Sequence, residues 1–126
     1  MERLVAVLYL VAAAGNLAPA VGALGAARLE ALYGIAFADP SLVVLMRHRA
    51  LLLGIVGSLL AVAAFRPAWR GPALAAGLMS MVSFCALVFA EVESNAAIRR
   101  VAVLDVGLIA SAMGAAVLDA RRRAAA

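Results

Sequence analysis

No charged residue lies between Arg3 and Arg28, and three more long apolar stretches follow along the chain. A helix needs about 20 apolar residues to cross the roughly 30 Å hydrocarbon core of a bilayer. The composition agrees, because 67% of the 126 residues are hydrophobic and the mean hydropathy is +1.08. In a water-soluble domain only about half of the residues are apolar. The chain is therefore predicted to be an all-α protein that lies in a membrane.

The apolar stretches predict an antiparallel bundle of four transmembrane helices in one integral membrane domain over 1–126. The predicted helices cover about 4–27, 41–65, 71–90 and 96–118. Ser94 or Asn95 is predicted to cap the fourth helix. The longer link between the first two helices is apolar, and we expect it to lie on the membrane surface as a short helix or turn.

The second and fourth helices differ from the others because they carry charges within the membrane. The uncharged run 50–65 is too short to span alone, so the second helix has to begin earlier. Asp39 followed by Pro40 marks that start, because aspartate caps helices and proline is tolerated at the first helical position. The extension brings the Arg47-His48-Arg49 triplet into the membrane, and the fourth helix likewise contains Asp105.

The placement of charges predicts the orientation. All 11 basic residues are arginines. One side of the predicted bundle carries Arg3, Arg66, Arg70 and Arg121 to Arg123, with only Glu2 and Asp119 as acids. The other side has a similar number of arginines but more acids. This contrast predicts a multi-pass protein of the bacterial inner membrane with both termini in the cytoplasm.

The charges of the second and fourth helices are expected to meet. An unpaired charge in the membrane costs at least about 2.5 kcal/mol on insertion scales, so Asp105 is expected to have a partner. Helical phase places Arg47 on a stripe of small residues with Gly54 and Ser58, which favours Arg47 as the inward partner. Arg49 shares a bulkier face and is predicted to reach outward to the membrane surface.

The same end of the bundle is predicted to bind a small molecule. The N-termini of the second and fourth helices add positive dipole ends to the arginines there, and such a site favours anions. We expect an outward-facing polar pocket for an anionic or amphiphilic small molecule, used in binding or transport. Its predicted residues are Asn16, Arg47, His48, Arg49, Ser83, Glu91, Arg99 and Asp105.

Two other interpretations stay open. If the protein is a structural or accessory subunit of a larger membrane complex, the Arg47–Asp105 pair is architectural. A small-residue face such as Gly107, Ser111 and Gly114 is then buried against a partner. A membrane enzyme has the least support, because the sequence contains no nucleophile with a base, no metal cluster and no phosphate-binding loop.

Expected partners follow from the same residues. Membrane lipids are expected partners, and a homo-oligomer or a larger membrane complex is compatible with the sequence. The arginines stand singly or in short groups between apolar runs, so no nucleic-acid partner is expected. With one histidine, His48, and one cysteine, Cys85, the chain predicts no metal site and no cofactor.

Several short motifs resemble a known family. They are Leu32-Tyr33-Gly34-Ile35, Asp39-Pro40, Arg47-His48-Arg49-Ala50 and Phe65-Arg66-Pro67, set on a four-helix layout. Together they resemble the small bacterial membrane proteins of the DoxX-like group over nearly the whole chain. The resemblance implies a four-helix membrane protein and transfers no catalytic residue to this sequence.

Overall fold

The computed structural model describes residues 1–125 and shows an all-α protein that is 88% helical. The α-helices are α1 (Glu2–Leu17), α2 (Ala26–Tyr33), α3 (Pro40–Phe65), α4 (Arg70–Ala90) and α5 (Ala96–Ala124). A 3₁₀ segment, Ala18–Leu24, continues α1, and a short 3₁₀ turn, Pro67–Trp69, joins α3 to α4.

Four stretches are long and apolar enough to cross a membrane. They are Glu2–Leu24, Pro40–Phe65, Pro67–Ala90 and Ala96–Ala124, with mean hydropathies of 2.0, 1.8, 2.2 and 2.1. At a rise of about 1.5 Å per residue, each exceeds the roughly 30 Å of a hydrocarbon core. These four helices indicate a multi-pass membrane protein.

The first of these spans changes helix type before it ends, where a single helix over 4–27 was predicted. The 3₁₀ segment Ala18–Leu24 has Pro19 in its first turn and runs for 7 residues, longer than the usual three or four. Gly25 follows with φ 151°, a conformation that glycine adopts without a side-chain clash, and the chain turns there into α2.

The link between the first two spans packs against α3 and α5. Leu29, Tyr33 and Phe37 form a small buried cluster in this link. Gly34, with φ 64°, ends α2 in the left-handed conformation that favours glycine. The N–H of Phe37 then donates to the Glu30 carboxylate over 3.2 Å. The predicted surface segment is thus a short helix followed by an ordered loop.

Side-chain caps start α3 and α5, as predicted. Asp39 Oδ1 accepts the N–H of Ser41 over 2.8 Å, and Asn95 Oδ1 accepts the N–H of Ile98 over 2.8 Å. Asn95 also donates from Nδ2 to the carbonyl of Tyr33 over 2.9 Å. This second bond ties the end of α2 to the start of α5.

The four spans share one main core. α1 contacts α3 and α5, and α4 contacts the same two helices. Large side chains of one helix fill spaces above glycines of another, so that backbones approach closely. Leu60 of α3 lies against Gly77 of α4, and Leu108 of α5 lies against Gly15 of α1. The outer surface is also apolar, with Leu45 65% exposed, as expected for side chains that face lipid.

Candidate functional site

Arg49 is the cation of α3 that points toward the other helices. It is partly buried, and one of its terminal nitrogens donates to the Tyr33 hydroxyl. Its guanidinium carbon lies 5.3 Å from the centre of the Tyr33 ring and 5.0 Å from that of the Phe84 ring. Within residues 1–125, no carboxylate forms an ion pair with Arg49. Its charge is thus held by aromatic faces and one hydroxyl, and it is not neutralised in contact.

On one side, Arg49 borders a small polar cavity of about 20 Å³. The lining also includes the side chains of Asn16, Tyr33, Ser80 and Asp105. A volume above about 10–15 Å³ is enough for one water molecule when polar groups surround it. Asp105 is half-buried and has no ion-pair partner in the described part of the chain. Arg49 and Asp105 carry opposite charges and both line this space.

On its other side, Arg49 borders a larger apolar space, which we call the lateral groove. The groove has a volume of about 460 Å³ and is lined by Tyr33, Ile35, Phe37, Leu42, Met46, Arg49, Phe84, Leu87, Val88, Glu91, Ser94 and Ile98. That volume lies within the roughly 300–1,000 Å³ of ordinary ligand sites. Leu42 and Leu87 in its wall are 40% and 67% exposed, so the groove is open along its side.

Four of the 8 predicted site residues, Asn16, Arg49, Glu91 and Asp105, line the small cavity or the lateral groove. Asn16 is 3% exposed and donates to the carbonyl of Ala12 over 3.0 Å, which holds its amide against the cavity. Glu91 is exposed where α4 ends.

The predicted Arg47–Asp105 pair is wrong. Arg47 is exposed, and its Nε donates over 2.8 Å to the carbonyl of Ala23, near the end of the 3₁₀ segment. The prediction that Arg49 reaches outward is wrong as well, since Arg49 takes the inward place beside Asp105.

This reversal has a packing cause. The bulky face of α3 packs inward, with Leu53 at the small cavity and Leu60 fully buried. The small residues Gly54 and Ser58 lie instead in a separate outer groove of about 430 Å³, lined also by Leu17, Ala20, Leu51, Ile55, Leu59 and Val62. Close helix contact needs a small residue on only one of the two helices, and here Gly77 of α4 supplies it opposite Leu60.

The three remaining predicted residues lie outside both spaces. His48 is exposed. Arg99 is exposed and donates to the carbonyls of Val92 and Ser94, over 2.6 and 3.2 Å, which orders the loop before α5. Ser83 lines a further groove of about 230 Å³ between α3 and α4, which Arg49 also borders, and donates to the carbonyl of Ser80 over 3.1 Å.

Three residues that the sequence did not single out help to form the site: Tyr33, Ser80 and Phe84. Tyr33 belongs to one of the motifs that carry the family resemblance. Ser80 and Phe84 stand four positions apart on α4, which places them on one helical face. The two aromatic residues meet the Arg49 guanidinium, and Ser80 adds a hydroxyl to the small cavity.

A second charged cluster, which we call the Arg70 network, lies at the opposite end of α3 and was not predicted. Arg70 is 2% exposed and donates to the Asp119 and Glu2 carboxylates and, over 3.2 Å, to the carbonyl of Ala63. Asp119 is 3% exposed and also pairs with Arg122 and Arg123. The distribution of charges along the sequence predicts Arg70, Glu2 and Asp119 at the same face of the membrane. That shared location is the sequence signal for their pairing.

The small-residue face predicted for a partner is used largely inside the protein. Ser111 Oγ donates to the carbonyl of Leu8 over 3.0 Å. A Cβ on Gly114 would contact the side chain of Leu8 at 3.8 Å. By the same measure Gly107 has nothing within 4 Å, so it alone of the three faces outward.

Among residues 1–125, no three His, Cys, Asp or Glu side chains are grouped so that they could hold a metal ion. The chain matches no protein-family model, no curated protein and no solved structure. The features that point to a function are therefore Arg49, the small cavity and the lateral groove.

Proposed function

We propose that the protein binds an amphiphilic molecule from the membrane, with an anionic group at Arg49 and an apolar chain in the lateral groove. The observation that carries this proposal is the position of Arg49. It borders a groove of about 460 Å³ with an almost wholly apolar wall, and it has no ion-pair partner among residues 1–125. The protein uses this contact to hold or to transport the amphiphile.

The energetics favour an anion at Arg49. A hydrogen bond to a charged group contributes about 1.5–3 kcal/mol, compared with about 0.5–2 kcal/mol for a cation–π contact. A guanidinium has five N–H donors in a planar fork, and Arg49 uses one of them on Tyr33. The remaining donors match the oxygens of a phosphate, sulfonate or carboxylate group.

Glu91 adds a basis for selection among amphiphiles. It is exposed and lines the same groove as Arg49. A carboxylate there repels a second anionic group and attracts a cationic one. A head that carries one anionic and one cationic group therefore complements the groove better than a head with two anionic groups.

We also propose that the four spans form an antiparallel bundle in the bacterial inner membrane, with both termini in the cytoplasm. The distribution of arginines and acids supports this orientation. In a Cys85→Ala background, Glu93→Cys is expected to react with an impermeant maleimide added to cells with a permeabilised outer membrane. Ala68→Cys is expected to react only after lysis, and the opposite pattern would contradict the orientation.

A structural or accessory subunit is the second candidate function. The Arg70 network favours it, because a buried network of this kind holds helix ends in a fixed arrangement without offering a free charge to a ligand. Gly107 faces outward and is suited to close approach by a partner helix or a second copy. On this alternative, Arg49→Gln leaves the function unchanged and Gly107→Leu impairs it. Membership of the DoxX-like group stays a prediction.

Binding of hexadecyl sulfonate to the purified protein in non-ionic micelles tests the first proposal. Arg49→Gln is expected to weaken binding about 10- to 100-fold, from the loss of about 1.5–3 kcal/mol. Arg100→Gln is the matched control, because Arg100 is an exposed arginine at the same end of the protein and lines neither space. Equal affinities of the two variants, or equal binding of uncharged hexadecanol and the sulfonate, would refute the proposal.

A further inference from the structure

Arg49 belongs to both spaces of the site, whereas Asp105 belongs to one. Arg49 lines the small cavity and the lateral groove, with Tyr33 and Phe84 as the wall shared by the two. Asp105 lines only the small cavity. A ligand in the groove therefore reaches Arg49 without reaching Asp105. The anionic group of the ligand and the Asp105 carboxylate then compete for the Arg49 guanidinium.

The charge balance of the cavity constrains that competition. Without a ligand, Arg49 and Asp105 line the same small cavity without forming an ion pair, so their opposite charges compensate each other only across that space. When an anion takes over Arg49, Asp105 is left as a half-buried negative charge without a compensating cation in the small cavity. Such a charge costs several kcal/mol, and a carboxylate relieves the cost by taking up a proton.

We propose that Asp105 is the exchangeable counter-charge of Arg49, so that an anionic amphiphile binds to Arg49 together with uptake of one proton by the Asp105 carboxylate. This inference rests on the proposed function. One negative charge and one proton enter together, so the net charge of the site is the same before and after binding. The proton comes from a hydronium ion or a buffer acid in bulk water. The donor's bond to that proton breaks as the O–H bond on the Asp105 carboxylate forms, and no other covalent bond changes.

Among the polar groups that line the small cavity, Asp105 is the one suited to taking up a proton. α1 contributes the neutral amide of Asn16, α2 the Tyr33 phenol, and α4 the Ser80 hydroxyl. Cys85, also on α4, is a further titratable group, but its thiol is buried and donates to the carbonyl of Ala102 over 3.4 Å.

Two further titratable groups are near enough to be tested as controls. Glu91 lines the groove but is exposed, so its carboxylate stays hydrated whether or not Arg49 is occupied. His48 neighbours Arg49 in the sequence, but it is exposed and lines neither space.

The test measures the affinity for hexadecyl sulfonate between about pH 5 and about pH 9. This pH range lies above the ordinary titration range of exposed carboxylates. A sulfonate stays ionised throughout, so any pH dependence belongs to the protein. Coupled uptake of one proton predicts that affinity falls about 10-fold for each pH unit over the range in which Asp105 is ionised in the free protein and protonated in the complex. Asp105→Asn is expected to remove this dependence and to bind more tightly than the wild type at the alkaline end. His48→Gln, Glu91→Gln and Cys85→Ala are expected to retain it.

Calorimetry of the wild-type protein in buffers of different ionisation enthalpy counts the protons directly and needs no variant. Uptake of about one proton per sulfonate, over the pH range in which the affinity falls, supports the coupling. A pH-independent affinity, zero proton uptake, or an unchanged pH dependence in Asp105→Asn overturns it. Those results leave the proposed function intact as long as Arg49→Gln still weakens binding of the sulfonate. Equal binding of the sulfonate by Arg49→Gln and the wild type refutes both the proposed function and the proton coupling.

Discussion

The Arg70 network allows a sharp test of how the helix ends are held together. The change is Arg70→Met, Asp119→Leu and the two combined. Arg70 and Asp119 are 2% and 3% exposed and pair directly, so each single variant leaves the other residue as a buried charge with fewer partners. Arg66→Met is the matched control, because Arg66 is exposed at the same end and forms no ion pair within residues 1–125.

The expected magnitude follows from what each variant leaves behind. Removing one partner of a fully buried pair destabilises a protein by about 3–5 kcal/mol. In Asp119→Leu, Arg70 keeps Glu2, and in Arg70→Met, Asp119 keeps Arg122 and Arg123, whose side chains are 37% and 61% exposed. We therefore expect a smaller loss, about 2–3 kcal/mol for each single variant.

The assay is equilibrium unfolding in mixed micelles, followed by the helical circular dichroism signal. The free energy of unfolding of the double variant is expected to fall by about 1–2 kcal/mol less than the sum of the two single losses. The reason is that the second substitution removes the buried charge that lost a partner in the first. Strict additivity, or single variants no less stable than Arg66→Met, would refute the reasoning.

Two further predictions concern packing and capping. A Cβ on Gly57 would lie 2.9 Å from the backbone nitrogen of Leu17, so Gly57→Ala is expected to destabilise the protein by about 1–3 kcal/mol in the same unfolding assay. Gly107→Ala, where the Cβ has open space, is expected to be neutral or slightly stabilising, and the reverse order would contradict the packing. Asn95→Ala loses both the α5 cap and the bond to the Tyr33 carbonyl, and a cost of about 1–2 kcal/mol is expected. Faster amide hydrogen exchange confined to the start of α5 would locate that loss, and no change in either measurement would contradict the role of the cap.

Local chemistry predicted the parts of the fold that depend on a few neighbouring residues. The caps at Asp39 and Asn95 are confirmed, because each is a short-range bond between a side chain and a nearby N–H. The apolar stretches predicted helices long enough to span for a similarly local reason, since burial in lipid depends on the composition of one segment. The 3₁₀ segment after Leu17 was missed, although Pro19 was a visible signal for a break.

The site was harder to predict because it depends on how helices fit together. Arg47 and Arg49 stand two positions apart, so one rotation of α3 decides which of them faces Asp105. The rule that small residues face inward chose the wrong rotation, because α3 turns Gly57 toward α1, whereas between α3 and α4 the small residue is Gly77 of α4. Arg70 meets Glu2 and Asp119 across sequence separations of 68 and 49 residues, and only the assembled fold brings them together.

Photolabelling tests the central claim, that Arg49 holds an anionic amphiphile in the lateral groove, most directly. The probe is an amphiphile with a sulfonate head and a photoreactive chain, and mass spectrometry identifies the residues that it labels. We expect labels on groove residues such as Met46 and Leu87, and we expect these labels to be lost in Arg49→Gln and retained in Arg100→Gln. Equal labelling of the outer groove at Leu51, or labelling unchanged in Arg49→Gln, would contradict it.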